Sequence, residues 1–238
     1  MKSIEDYLKK NTGKKMLVIF PHPDDETVMT GSLISESIRL GWQVKVVSLT
    51  EGDRGRVHIH GRGRSVAQMR RGEFIRAMKI LNVSDFEMWK EDDGKLRRSD
   101  LWRVRVQRLI DLYDPSIVVT YDLSGVTGHP DHIELGMEVL RLKRERGFQL
   151  WWPVPVGIIA KKFSNLKVKK YSQKAELHLL TSFSVSLVKW RAIYQHLSQG
   201  MNKEFRWPYW FNAFVEREER YSVAKNKKYK YKRIKFNI

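Results

Sequence analysis

Two short turns with the same chemistry limit what this chain can fold into. The first, PHPDDE at residues 21–26, follows the apolar run 16–20 and precedes an amphipathic segment. The second, HPDH at residues 129–132, also follows an apolar run and precedes an amphipathic segment. Each turn therefore stands where a strand passes into a helix, and in open α/β sheets the loops at the carboxyl ends of strands face the ligand. The pattern predicts that the two turns face each other across one site.

The residue types in these turns favour a metal site. His22 and Asp25 stand three residues apart on the first turn, and His132 adds an imidazole from the second. Two histidines and one carboxylate commonly hold zinc in hydrolases, with a position left for water. The same ligands suit Fe2+, so the residues alone do not distinguish Zn2+ from iron or another divalent metal. Helix capping is the alternative interpretation, because proline and acids are favoured at helix starts, but capping requires none of these histidines.

Composition restricts the remaining classes of function. The 238 residues contain no cysteine, which excludes disulfides and thiolate ligands, so a metal would be held by histidines and carboxylates. Because no apolar run reaches the length of a membrane span and residues 1–15 are too polar for a secretory signal, a cytoplasmic protein is expected. The formal charge of +18 indicates attraction to phosphate on a small substrate, a lipid surface or a nucleic acid. Solubility or heat adaptation through ion pairs is the other explanation of this charge.

The order of apolar segments predicts an α/β fold. Strands are expected at residues 16–20, 44–49, 86–89 and 117–121. Helices are expected at residues 28–40, 65–81, 99–113 and 133–144. This alternation is typical of a Rossmann-like, doubly wound, mostly parallel sheet with helices on both faces. No G-x-G-x-x-G motif follows a strand, so a dinucleotide cofactor is not expected.

The second half of the chain has a different pattern. β-type structure is expected at residues 150–159, 168–171 and 177–183, and a helix is expected over 185–199. This pattern predicts a β-rich C-terminal extension. We expect one domain over 1–238, with a Rossmann-like core over 1–145 and a C-terminal part over 146–238 that completes the pocket. Its basic tail, 221–238, carries seven Lys or Arg and no acid. The tail reads either as an edge strand protected by lysines or as a stripe that faces phosphate.

Both turns resemble motifs of the PIG-L/LmbE-like metal-dependent deacetylases, which remove acetyl groups from N-acetylglucosamine-type amino sugars. The similarity continues through TEGD at 50–53, RRGE at 70–73 and Asp93-Gly94. Near the C-terminus it includes Lys189, Ala192, His196, Ser198 and Gln199. It covers about residues 16–140 and 176–200, with small departures at Pro21, Asp53 and Asn82.

The resemblance implies a zinc-dependent N-deacetylase with His22, Asp25 and His132 as metal ligands. Asp24 would act as the general base, and His129 would stabilise the oxyanion or act as the acid. Asp131 would orient a histidine from outside the ligand shell. An alternative hypothesis is another metal-dependent hydrolysis with the same ligands, such as phosphoester cleavage. A nucleic-acid or membrane-surface binder whose turns are only caps is another.

Substrate contacts are expected from two sources. Arg54 and Arg56 lie on a glycine- and arginine-rich loop that suits phosphate or carboxylate, although solvated basic loops are common in so basic a chain. Arg70 and His196 are added by the resemblance, with a helix ion pair and a core histidine as their alternatives. The expected substrate is an acetylated amino sugar, with an anionic or lipid-linked conjugate as one form. The basic tail would reach an anionic surface or nucleic acid, which allows a peripheral membrane location.

Overall fold

The computed structural model describes residues 2–59, 63–163, 168–205, 207–225 and 229. Its strands are β1 (Lys2–Ser3), β2 (Lys15–Phe20), β3 (Gln43–Thr50), β4 (Asp85–Glu91), β5 (Ile117–Val119), β6 (Gln149–Val154), β7 (Leu177–Leu180) and β8 (Glu218–Val223). Its helices are α1 (Ile4–Lys10), α2 (Asp25–Arg39), α3 (Val66–Ile80), α4 (Leu101–Tyr113), α5 (Pro130–Arg146), α6 (Gly157–Phe163), α7 (Phe183–Ile193), α8 (Met201–Glu204) and α9 (Tyr209–Val215). None of the helices described is both long and apolar enough to cross a bilayer.

The strands form one mostly parallel sheet in the order β1-β7-β8-β6-β5-β2-β3-β4. Only β8 runs antiparallel to its neighbours, β6 and β7, within the part of the chain that the structure describes. The chain passes from β2 outward to β3 and β4 and then returns to β5 on the other side of β2. The loops after β2 and β5 therefore diverge at the switch point of the sheet, where ligands bind in folds of this type.

The apolar runs of the first half are continuous because the sheet is buried on both faces. In β2, Met16, Val18 and Phe20 join one hydrophobic cluster, whereas Leu17 and Ile19 join the other. Helices α2, α3 and α7 cover the first face, and α4 and α5 cover the second. This arrangement confirms the predicted doubly wound fold, because strands enclosed by helices on both sides need apolar residues at every position.

The second half departs from its predicted pattern. Within 150–159 only the first residues are a strand, because Gly157, at φ 52°, begins α6 and the distant Glu216 carboxylate accepts the Ile158 N–H at 2.9 Å. Lys169–Tyr171 is a 3-10 turn rather than β structure, and the helix predicted over 185–199 already ends at Ile193.

The strands of the C-terminal part belong to the main sheet, so a separate β-rich extension is not evident among the described residues. Residues 221–223, the start of the predicted basic tail, lie in β8 inside that sheet. Tyr229 packs edge-on against Trp152, with ring centroids 5.4 Å apart. The lysine-protected edge strand predicted beyond it lies outside the described residues.

Candidate metal centre

The two HPD turns meet at the carboxyl edge of the sheet. The first connects β2 to α2, and the second ends the loop between β5 and α5. The ring centroids of His22 and His132 are 5.2 Å apart, and those of His22 and His129 are 4.7 Å apart. Adjacent parallel strands thus bring together residues that are more than a hundred positions apart in the chain.

Three potential ligand atoms converge within this group. His22 Nδ1 lies 3.2 Å from His132 Nε2, and Asp25 Oδ2 lies 3.5 Å from each of these nitrogens. Tetrahedral ligands held ~2.0–2.1 Å from zinc stand about 3.3 Å from one another. The three separations therefore fit one face of such a site.

Hydrogen bonds on the far sides of His132 and Asp25 leave His132 Nε2 and Asp25 Oδ2 directed toward His22 Nδ1. His132 Nδ1 lies 3.0 Å from the Gly125 carbonyl, to which it donates when Nε2 is the free nitrogen. Burial lowers the pKa of His132 to about 4, so this ring is neutral near pH 7. Asp25 Oδ1 accepts a hydrogen bond of 2.7 Å from the Tyr121 hydroxyl. Such contacts fix the tautomer and orientation of ligands in metal sites.

The same cluster requires positive charge. Asp93 Oδ1 and Asp131 Oδ2 approach His22 Nε2 to 3.1 and 3.5 Å. Burial opposes a charge on His22, but the carboxylates of Asp131, Asp25 and Asp93 together hold its pKa well above the ordinary value. Three converging acceptor atoms and this group of carboxylates repel one another unless a proton or a cation lies among them. The donor set therefore fits a divalent ion.

Two further groups place potential ligand atoms within 4.8 Å of one another: His22 with His129 and His132, and His22 with Asp93 and Asp131. In both groups, a potential ligand atom already accepts a hydrogen bond from a backbone N–H. His129 Nδ1 accepts the Asp131 N–H at 3.2 Å, and the Asp131 carboxylate accepts the N–H groups of Gly94 and Leu96 at 2.7 and 3.2 Å. Asp25 Oδ2 likewise accepts the His22 N–H at 3.1 Å, so these bonds alone do not choose among the groups. We favour the set of His22, Asp25 and His132 because its three atoms lie 3.2–3.5 Å apart, as tetrahedral zinc ligands do.

Asp24 occupies a strained position beside this set. Its φ of 122° is unusual for a residue with a side chain and costs about 1–3 kcal/mol. Glu26 Oε2 accepts its N–H at 3.2 Å, and its carbonyl accepts from Thr27 Oγ1 at 2.8 Å and from the Val28 N–H at 3.0 Å. Burial, followed by the charge of Asp25, raises the pKa of Asp24 to about 7. A carboxylate with such a pKa is suited to accept and return a proton near neutral pH.

A cavity of about 250 Å3 opens onto these groups. Its lining consists of His22, Asp24, Arg54, Gly55, Arg70, Asp93, Gly94, His129 and Gln199. Arg70 is only 4% exposed, and its Nε and Nη2 have no hydrogen-bond partner within the described ranges. A Cβ on Gly52 or Gly55 would stand 2.1 Å from a guanidinium nitrogen of Arg70, so a side chain at either position would displace the guanidinium. Arg70 therefore contributes a buried guanidinium to the cavity wall, with two of its nitrogens unpaired among the described residues.

The structure separates the predicted substrate residues. Arg54 and Arg70 line the cavity, whereas Arg56 is exposed outside the lining and His196 is buried behind it. His196 Nε2 lies 3.8 Å from Glu26 Oε1, and burial followed by the charge of Arg70 lowers the pKa of His196 to about 3. His196 is therefore an interior histidine in contact with the turn, not a side chain of the cavity wall.

Several residues of this site were not assigned a role from the sequence. Asp93 and Gln199 stood in matching stretches without a function, and Asp93 proves to be the carboxylate nearest His22 Nε2. Tyr121 stacks on His132, with ring centroids 4.1 Å apart, in addition to its bond to Asp25. Its position at the end of the apolar run before the second turn was the available signal.

The sequence profile of the PIG-L family, described as GlcNAc-PI de-N-acetylase, matches residues 17–142, which is more than half of the chain. The chain belongs to this family. The matched range contains both HPD turns and every residue of the three-ligand set, which confirms the resemblance seen in the motifs.

Curated relatives of this PIG-L family member share part of its length. A 1D-myo-inositol 2-acetamido-2-deoxy-alpha-D-glucopyranoside deacetylase 2 of Saccharopolyspora erythraea is 31% identical over 142 residues, 49% of this chain and 52% of that protein. The deacetylase of the same description from Corynebacterium urealyticum is 26% identical over 202 residues, 68% of this chain and 60% of that protein. The chain thus spans about half to three fifths of the length of the curated relatives it matches.

Solved structures extend the similarity of fold over nearly the whole chain. N,N'-diacetylchitobiose deacetylase from Pyrococcus horikoshii has a TM-score of 0.62 at 19% identity and covers 93% of this chain and 90% of its own. GalB, the 4-carboxy-2-hydroxymuconate hydratase from Pseudomonas putida, has a TM-score of 0.67 at 18% identity, with 94% and 99% covered. Because a deacetylase and a hydratase share it, this architecture alone does not fix the reaction.

Proposed function

We propose that this chain is a metal-dependent hydrolase that removes the N-acetyl group from an N-acetylglucosamine-type amino sugar or its conjugate. The convergence of His22 Nδ1, Asp25 Oδ2 and His132 Nε2 beside the Asp24 carboxylate carries this proposal. Membership of a de-N-acetylase family and relatives named as deacetylases support the same reaction. We take 1–238 as a single deacetylase domain, with the C-terminal part supplying Gln199 to the cavity.

His22, Asp25 and His132 would hold the metal ion, for which Zn2+ is the first choice and Fe2+ an alternative. When bound, such an ion supplies Lewis acidity to a water and to the acetyl carbonyl. Asp93 and Asp131 lie 3.1 and 3.5 Å from the outer nitrogen of His22, which makes no aligned hydrogen bond among the described residues, and would hold it once a bound ion orients the ring. Tyr121 would hold the outer oxygen of Asp25.

Asp24 and His129, one from each turn, would carry out the remaining chemistry. Asp24 would accept a proton from the attacking water as the water oxygen bonds to the acetyl carbon, and would return it to the nitrogen as the C–N bond breaks. His129 Nδ1 accepts the Asp131 N–H, which leaves the proton of the neutral ring on Nε2. Burial, followed by the charge of His22, lowers the pKa of His129 and favours this neutral form. Its Nε2–H would stabilise the developing oxyanion.

An acetate-release screen tests the proposed reaction. Purified protein with zinc or iron added back should release acetate from at least one of N-acetylglucosamine, N,N'-diacetylchitobiose and N-acetylglucosaminyl-inositol, leaving a free amine. Release of phosphate from phosphomonoesters without release of acetate from any sugar would instead favour a phosphoesterase with the same ligands. A protein that binds metal but hydrolyses neither class contradicts both hydrolase readings.

Arg54 suggests that the preferred substrate carries an anionic group. Its side chain lines the cavity next to Gly94, and its guanidinium has no ion pair within the described ranges. Hydrogen bonds to charged groups contribute about 1.5–3 kcal/mol. We expect Arg54→Gln to raise KM for a phosphorylated acetyl sugar by about tenfold or more and to change KM for its neutral analogue much less.

Arg98→Gln is the matched control for this prediction, because it removes an equal charge from an exposed arginine outside the cavity lining. Steady-state kinetics on both substrates at low and high salt measure the effect, since exposed charges are screened by salt. Equal losses on neutral and anionic substrates in Arg54→Gln would mean that the arginine shapes the loop and does not select charge.

Glu26 provides a test of how Asp24 is held. Glu26 is 1% exposed and accepts the N–H of Asp24, whose backbone is strained. We expect Glu26→Ala to keep the metal and lower kcat by about tenfold or more, because the acceptor that fixes Asp24 is gone. Glu26→Gln retains a carbonyl acceptor and should keep most of the activity. If both variants lose activity equally, or if Glu26→Ala loses its metal, the acceptor role is wrong.

The remaining expectations about partners stay predictions. A lipid-linked substrate and a basic tail on an anionic surface or nucleic acid are compatible with the charge of +18. Most of the tail lies outside the described residues, so its proposed role depends on sequence alone. Peripheral attachment to membranes would be supported if binding to an anionic lipid surface is found.

A further inference from the structure

An aromatic surface lies outside the site and outside the range matched by the family profile. We define the α9 surface by five exposed residues, given with their exposed fractions: Trp207 (59%), Tyr209 (39%), Trp210 (54%), Phe214 (65%) and Val215 (50%). Phe211 joins the two tryptophans, with ring centroids 5.0 and 6.0 Å from theirs. Contiguous apolar side chains on a protein surface mark interaction sites more often than scattered ones do.

The α9 surface has a fixed conformation. The Tyr194 hydroxyl, from the end of α7, contacts the carbonyls of Phe205 and Trp207. Asn212, which is 1% exposed, donates to the Trp207 carbonyl at 3.1 Å and to the Tyr194 hydroxyl at 3.1 Å. Asn212 and Ala213 thus occupy the inner side of α9 and leave its aromatic residues outside. The exposed rings are therefore presented by an anchored segment.

The surface lies at the same edge of the sheet as the cavity. Helix α9 leads into β8, whose first residues pair with the carboxyl ends of β7 and β6 at Leu180 and Val154. Strand β6 runs parallel to β5, and β5 to β2, whose carboxyl ends deliver the two turns. Helix α9 therefore enters the sheet at the edge where the two turns lie.

Charge distinguishes between an anionic bilayer and a second copy of the chain as the partner of the α9 surface. The acids near α9 are neutralised or enclosed, since Glu204 pairs with Lys162 at 2.6 Å and Glu216 is 8% exposed. Lys203 and Arg217, which flank the aromatic residues in sequence, are exposed, and Lys203 Nζ also donates to the His58 carbonyl at 3.2 Å. The formal charge of +18 favours an anionic bilayer over a second copy of the chain as the partner. Tryptophan and tyrosine are the residues enriched at the headgroup level of membranes.

We propose that the α9 surface docks on the headgroup region of an anionic bilayer, with Trp207, Trp210 and Phe214 inserted among the lipids and Lys203 and Arg217 beside the anionic headgroups. This is peripheral binding through one face of a folded protein. It does not depend on the deacetylase reaction, and it uses residues that take no part in the proposed chemistry.

Vesicle sedimentation tests the proposal. The full chain should sediment with phosphatidylcholine vesicles that contain about one third phosphatidylglycerol, and much less with phosphatidylcholine alone or at about 0.5 M salt. Trp207→Ser with Trp210→Ser should weaken binding to the anionic vesicles by more than about tenfold. Leu101→Ser with Leu112→Ser is the matched control, because these residues of α4 are 79% and 74% exposed but lie in another part of the fold.

Three results would overturn the proposal. The first is a wild-type chain that does not sediment with anionic vesicles. The second is a tryptophan variant that binds as well as the wild type or the α4 control. The third is a wild-type dimer in sedimentation velocity that the tryptophan substitutions dissociate, which would make the α9 surface an interface between copies. Thermal unfolding of both variants checks that folding is retained, and Trp210→Ala alone replaces the pair if the double variant unfolds.

Discussion

A His132→Ala variant is expected to purify with less than about a tenth of a metal ion per chain, against about one for the wild type. His132 Nε2 is one of three atoms that converge at 3.2–3.5 Å, and its removal leaves one histidine and one carboxylate to hold the ion. Elemental analysis after dialysis without chelator measures the effect without reference to activity. His22→Ala should behave in the same way.

His58→Ala is the matched control, because His58 is an exposed histidine of the loop that follows β3 and is in none of the groups that bring ligand atoms together. It should keep its metal. If His22→Ala and His132→Ala both retain a full complement of metal and an unchanged unfolding temperature, the metal centre is not where we place it. Loss of metal from Asp25→Asn as well would support the three-ligand set.

Asp24→Asn should keep the metal and lose about 100- to 10,000-fold in kcat, the usual contribution of a general base. The amide occupies the same volume but cannot accept the proton of water. Because Asp24 also has a strained backbone held by Glu26 and Thr27, the substitution should leave the turn in place. Acetate release and metal content, measured on the same sample, separate this outcome from loss of the site.

Substitution of the neighbouring carboxylate, Asp25, should reduce metal binding, whereas substitution of Asp24 should reduce turnover. Comparing the two variants therefore tests both roles. Asp25→Asn removes the oxygen that faces both imidazoles and should therefore weaken metal binding itself. Equal metal loss in Asp24→Asn and Asp25→Asn would show that the roles of the two residues had been assigned wrongly. Normal turnover in Asp24→Asn would require a different base in the cavity.

The sequence predicted the first half of the fold well because its signals are local. The apolar runs of β2 and β3, and the spacing of apolar residues in α3, reflect contacts that each element must make with the sheet. The meeting of the two turns was also predictable, since strand–turn–helix units of one parallel sheet open at a common edge. The distances among His22, Asp25 and His132 required the structure.

Differences from the prediction arose where local breakers were passed over and where contacts join distant segments. The segment 150–159 was predicted as one β-type stretch, but Pro155 and Gly157 interrupt it after β6, and Glu216 accepts the Ile158 N–H at the start of α6. The sequence placed Arg56 and His196 with Arg54 and Arg70, and only the structure shows that the first two lie outside the cavity lining, since composition and motif do not report which way a side chain faces. Asp93 was overlooked as a partner of His22 because its role depends on a contact between separate loops.

The position of β8 has a consequence for how the chain is assembled. This last described strand lies between β6 and β7, and β1 pairs with β7. Until residues 218–223 leave the ribosome, β7 and the N-terminal strand have no strand neighbour that links them to the rest of the sheet. Pairing between segments far apart in sequence is slow to form, so completion of this sheet should be a late step in folding. Truncation before Glu218 should therefore separate β1 and β7 from the rest of the sheet, whereas truncation after Lys225 should leave the sheet intact.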